Sequence, residues 1–167
     1  MANRQVKRKS DKKKPYSKAS DDEKVFRNWT KALGLYNRGE YSVAIIRCGT
    51  CVELAVNFAI RQELVTEREL PLQFVDKLLL SANGLRNKYQ NLFLPIMAEY
   101  EQHDALVRLW RMRIEKINKQ RNAVVHSGEF RNRSIAKVVM TDAYAALMEI
   151  MGFYDFGTEL KPLADED

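Results

Sequence analysis

Over residues 41–64 apolar side chains recur at intervals of three and four and never settle into alternation, which dictates a long helix buried along one wide face. The members of that stripe are Tyr41, Ala44, Ile45, Cys48, Cys51, Val52, Ala55, Val56, Ala59 and Ile60. A face this broad needs several covering helices, and the rest of the chain supplies them. Ser20 followed by Asp21, Asp22 and Glu23 has the form of a capping box, with acids at the positive end of a helix dipole. It predicts a helix to about residue 36 with Val25, Phe26, Trp29, Leu33 and Tyr36 inward and Gly39 past its end. Pro71 suits a first helical position, and a short helix with Leu72, Val75, Leu78 and Leu79 closes at Asn83-Gly84. Residues 85–103 are ambiguous, with Pro95 opening a turn or a helix. From Asp104 the helical rhythm returns in Val107, Trp110, Ile114 and Ile117. A last helix over 134–154 turns Ile135, Val138, Val139, Ala143, Ala146, Leu147, Ile150 and Met151 inward.

Gly and Pro together number 11, too few for the many tight turns of a sheet protein, and no segment alternates with period two. The 167 residues, 46% of them apolar, suffice for one domain with its own core and no disulfide staples. The expected fold is therefore all-α: an antiparallel bundle of four to five main helices with flexible charged termini. A disordered basic arm is expected over 1–20, the bundle over 21–157 and an acidic tail over 158–167.

The stripe Val107, Trp110, Ile114, Ile117, continued by its own rhythm, next meets Arg121 and Val124. A guanidinium on an apolar line is unusual, because arginine is seldom buried unless paired and its desolvation costs several kcal/mol, or about that order. Either the helix ends there and the side chain escapes to water, or the arginine serves a purpose in a half-buried cleft. Its neighbours favour the second. Asn122 and His126 are four apart and share a helical face, and Ser127-Gly128 loosens the helix end. Histidine is the side chain suited to proton transfer near neutral pH, and arginine grips phosphate through two parallel donors.

The string Arg121-Asn122-Ala123-Val124-Val125-His126, followed by Ser127-Gly128, resembles the R-N-x-x-x-H signature of HEPN domains. The helical body and the long second helix YSVAIIRCGTCVELAV agree, so the resemblance covers about residues 23–157. It implies metal-independent RNA cleavage in which Arg121 and His126 act on the phosphodiester, Asn122 orients the site and Glu53 is the accompanying acid from an earlier helix. It also implies a homodimer that brings two motifs to one cleft. The resemblance carries toxin and phage-defence roles, with an antitoxin or defence-system protein as candidate partner. Toxins of this kind that pair with nucleotidyltransferases carry a Tyr two residues after the His, where this chain has Gly128. Independently of family, Glu53 lies at the edge of the buried stripe, where it can reach Arg121 or stand as an ordinary boundary carboxylate.

Charge points to a polyanion as partner. Residues 108–133 carry a local +6, and Arg111, Arg113, Lys119, Arg131 and Arg133 are the candidate substrate-binding cations. Tyr89, Phe93 and Tyr100 are either base-stacking platforms or core aromatics at helical spacing. The chain's net +6 comes from residues 1–18, which alone carry +7; such an arm either binds polyanions or merely solubilises. Cys48 and Cys51 sit mid-helix on the apolar stripe, so core packing is expected rather than redox chemistry. Two Cys and two distant His make no zinc set, and no metal or other cofactor is expected. No apolar run of membrane-spanning length and no leader is read, so a cytoplasmic protein with no membrane partner is expected. The first functional reading is an endoribonuclease. The alternative is a non-catalytic HEPN module binding RNA or a partner protein, and a helical DNA-binding regulator stands third.

Overall fold

The computed structural model describes residues 15–154 and 159–164. Six helices account for its regular structure, and no strand occurs among the described residues. They are α1 (Asp21–Asn37), α2 (Tyr41–Glu67), α3 (Leu72–Ser81), α4 (residues 84–96), α5 (residues 103–127) and α6 (Arg133–Met151). Helix α2 is the axle: α1, α4, α5 and α6 all pack on it, and its stripe from Ala44 to Ile60 is buried as the spacing predicts. By length and composition α2 is apolar enough to cross a bilayer, which corrects the expectation that no such run exists. Within this fold its apolar face is the centre of the core.

The helix ends follow their local chemistry. The Ser20 N–H donates to Glu23 Oε2 at 2.8 Å, completing the capping box of α1. Gly39 and Gly128 both take positive φ where α1 and α5 stop, a conformation a Cβ would strain. Asn132 caps α6 by accepting from the Ile135 N–H at 3.0 Å. The ambiguous stretch 85–103 contains α4, whose middle, Lys88–Phe93, widens into a π turn just ahead of Pro95. A proline there lacks an N–H and crowds the carbonyl four residues back, and the wider turn accommodates it. Helix α5 carries another such turn at Trp110–Ile114.

Some inward assignments need correcting. Phe26 and Val138 are exposed, and Asn28 and Ala32 take up the inner face of α1 instead. Buried Asn28 is fully engaged, donating to the Tyr16 hydroxyl at 2.9 Å and the Lys24 carbonyl at 2.8 Å while accepting from Arg47 at 3.1 Å. Tyr89 and Phe93 are wholly buried, edge to face with each other while Tyr89 also meets Trp110, so they belong to the core and not to a base-stacking surface. Tyr100 spends its hydroxyl on Glu63. Cys48 and Cys51 are buried free thiols, as their place on the stripe predicts.

Residues 15–20 and 159–164 are the described parts of the two ends. Most of the predicted arm, residues 1–14, lies outside the described residues, but Tyr16–Lys18 forms a 3₁₀ turn and Ala19 is buried. The tail is docked where it is described: Leu160 is buried, and the Trp29 indole N–H donates to the Lys161 carbonyl at 2.7 Å. The buried carboxylate of Glu63 ties three parts of the chain together, accepting from Tyr100 and Tyr154 hydroxyls at 2.8 Å each.

Burial pushes the Cys48 thiol from about 9 up to about 12, and burial also raises Cys51. Tyr89 is raised by burial and then by Glu149, Tyr154 by burial and then by its bond to Glu63. An unfolded chain releases these protons earlier than the folded one does. Their stabilising contribution is complete below the unfolded values and is lost as pH climbs through the interval up to the folded ones. Urea midpoints should therefore fall steadily as pH rises above about 9. A midpoint that stays level or rises from there to pH about 11 would contradict this account of the core.

Candidate functional site

The arginine on the apolar line is half-buried, on a helix that does not stop beneath it. Helix α5 runs on to Ser127, so the guanidinium does not reach water through an early helix end. Buried Gly49 on α2 explains how the side chain is accommodated. A Cβ at Gly49 would lie 3.0 Å from Arg121 Cγ and 3.3 Å from both Cβ and Cδ. The aliphatic stem of Arg121 thus rests directly on the α2 backbone, as a core residue would, while its charged head extends beyond. Its Nη1 donates to Asn122 Oδ1 at 3.2 Å.

Beyond that contact a cleft of about 530 Å³ opens between α2, α4 and α5, lined by Arg121, Asn122, His126, Glu53, Asn83, Arg86, Asn87 and Asn118 among others. All four predicted catalytic residues, Arg121, Asn122, His126 and Glu53, line it. His126 is exposed, two residues before the Gly128 stop, and its imidazole has no polar partner among the described residues. Glu53 does not pair with Arg121. Lys88, from the widened turn of α4, donates to Glu53 Oε1 at 2.7 Å with both side chains largely sheltered. The pair is close to neutral, so Arg121 and Arg86 are left as cleft cations with no carboxylate partner among the described residues.

The predicted substrate-binding cations divide in two. Arg111 and Lys119 are exposed and make no ion pair among the described residues; both line a second hollow of about 590 Å³. This hollow adjoins the first, sharing Arg86, Asn118 and Asn122 with it. Arg113 instead faces α6 and pairs with Asp142 at 2.5 Å. Arg131 is tied to Gln120 and Glu129, each at 2.6 Å, with its N–H on Ser42, and so serves the loop after α5. Arg133 is exposed in the first turn of α6 and lines neither hollow. His103, the first residue of α5, sits 3.7 Å from Asp104 and away from the cleft. No three His, Cys, Asp or Glu side chains among the described residues converge as metal ligands.

Sequence reasoning missed Gly49, Lys88 and the cleft asparagines other than Asn122, namely Asn83, Asn87 and Asn118. Gly49 carried a readable signal, since a glycine inside a long helix is unfavourable by about 1 kcal/mol and calls for a close neighbour. Lys88 carried none, because its partner is set by how α4 lies on α2. Comparison with known proteins finds no matching family model, no matching curated protein and no matching solved structure.

Replacing Gly49 by Ala sets a helix-propensity gain of about 1 kcal/mol against an overpacking cost of about 1–3 kcal/mol. The crowded atoms are Cβ, Cγ and Cδ of the Arg121 stem, which lies against α2 and has little room to withdraw, so the cost should prevail. Gly49→Ala is expected to destabilise the wild type by about 1 kcal/mol and to stabilise the Arg121→Ala variant instead. Equal effects in the two backgrounds, measured by urea denaturation, would show that the stem does not rest on Gly49.

Proposed function

We propose that this chain is a metal-independent endoribonuclease of the HEPN type. The observation that carries the reading is the convergence of Arg121, Asn122, His126 and Glu53 on one cleft, from helices α5 and α2. RNA supplies its own nucleophile. The 2′-oxygen bonds to phosphorus as its proton is taken up, the bond from phosphorus to the 5′-oxygen breaks, and that oxygen receives a proton. The products are a 2′,3′-cyclic phosphate and a 5′-hydroxyl, and no water or metal enters the balance.

His126 is the proton carrier, accessible at the cleft mouth. Arg121 binds the phosphate and stabilises the charge that grows on its oxygens. Asn122 holds the guanidinium through its side-chain carbonyl. Glu53, kept from Arg121 by Lys88, frees that guanidinium for substrate. One imidazole cannot readily take one proton and give another in a single step. A two-fold homodimer supplies a second His126 to the same phosphodiester.

Labelled RNA incubated with EDTA should be cut by the wild type and left with cyclic phosphate ends, while the same strand with 2′-deoxy sugars stays whole. His126→Ala should slow cleavage by about 10²- to 10⁴-fold, and Arg121→Ala by about 10²- to 10³-fold. Wild type that binds RNA and leaves it intact would favour the non-catalytic module instead. Light scattering at micromolar concentration should give a dimer mass, and a monomer would remove the second imidazole.

A further inference from the structure

The two hollows form one continuous surface, and the residues at their junction are suited to more than holding phosphate. Asn118 lines both, beside Arg86 and Asn122. It is half-buried, and its amide has no hydrogen-bond partner among the described residues. The amide reaches solvent and is not committed to the protein, so a ligand can take it in exchange for water. Asn122 gives its carbonyl oxygen to Arg121 and keeps its amide N–H groups as donors. Away from the junction, Arg111 and Lys119 stand without acidic partners. Arg86 spends only Nε, on Gln90 at 3.0 Å, and retains its terminal nitrogens.

We propose that this groove seats an unpaired RNA segment adjoining the phosphate held at Arg121, with Arg86, Arg111 and Lys119 on its backbone and Asn118 reading the edge of one base. An amide offers a donor and an acceptor in one plane, which matches a base edge. In RNA such an edge is available to a side chain where the base is unpaired. Arg86, Arg111 and Lys119 make no ion pair among the described residues, and Glu115 is the one acid beside them in the second hollow, whereas Arg113 and Arg131, off this path, are paired with the protein's own side chains. An excess of unpaired cations favours a polyanion on this surface. The inference rests on the nuclease reading for the identity of the ligand as RNA, but its own claim concerns binding.

The test uses the full chain carrying His126→Ala, so that RNA stays intact, and follows fluorescence anisotropy of single-stranded A, C and U homopolymers across a salt series. The background protein should prefer one homopolymer over the weakest by about 5- to 100-fold, the range expected of one well-placed amide. Adding Asn118→Ala should reduce that preference to within about twofold, with Asn118→Ser as a second variant that keeps the helix surface polar. Adding Arg111→Ala with Lys119→Ala should weaken every strand alike and lower the slope of log affinity against log salt by about 1.4. Lys77→Ala, exposed on α3, should change neither. A preference unaltered by both Asn118 variants, no preference to begin with, or an unaltered salt slope in the double variant would overturn the proposal. RNA bound through this groove yet left uncut by the wild type would remove the nuclease reading and leave the groove standing. Cleavage by a protein whose binding ignores these substitutions would do the reverse.

Discussion

The stem of Arg121 lies against Gly49 as a leucine would lie against a neighbouring helix, and the placement of the whole cleft depends on that contact. A side chain at position 49 would hold α5 away from α2 or drive the arginine outward. With glycine there, the methylenes share in the core while the guanidinium emerges beside Asn122 and His126. The same residue thus packs the bundle and presents a charge. That reconciles an arginine on an apolar stripe with the cost of burying one.

Electrostatics then sorts the cations. Arg61 is held by Asp21 at 2.7 Å and Asp76 at 2.9 Å, Arg113 by Asp142, Arg131 by Glu129 and Gln120, and Lys88 by Glu53. Each of these joins segments of the fold. Arg111, Lys119 and Arg121 have no carboxylate partner among the described residues and lie along one connected surface. A phosphate approaching that surface meets positive charge the protein has not already neutralised, which matters more for polyanion binding than the chain's total charge.

Much of this was legible in the sequence. The buried stripe of α2, the capping box at Ser20, the stop at Gly128 and the anomaly of Arg121 are all local or periodic signals, and each appears where the spacing places it. Periodicity failed at its margins. Phe26 and Val138 sit beside the inner faces of their helices, and which edge a helix buries depends on how its neighbours lean. The wide turns at Lys88–Phe93 and Trp110–Ile114 insert residues that a fixed 3.6-residue rhythm cannot foresee. Composition marked the C-terminal segment as a polar tail, yet Leu160 is buried and two backbone carbonyls of the segment accept hydrogen bonds from Trp29 and Tyr144. In the cleft, the motif residues were legible but their partners were not. Glu53 was readable as a boundary acid, whereas its pairing with Lys88 is a fact of tertiary structure.

The central claim is that Arg121 and His126 address the same phosphodiester. A crystal structure of the protein with a short RNA whose reactive 2′-hydroxyl is replaced by hydrogen would show this directly. The account predicts one phosphate bridging the Arg121 guanidinium and a His126 imidazole, with the second imidazole of a symmetric pair near the leaving oxygen. A strand bound with its phosphates on Arg121 while both imidazoles face solvent, or a strand seated on another face altogether, would contradict it.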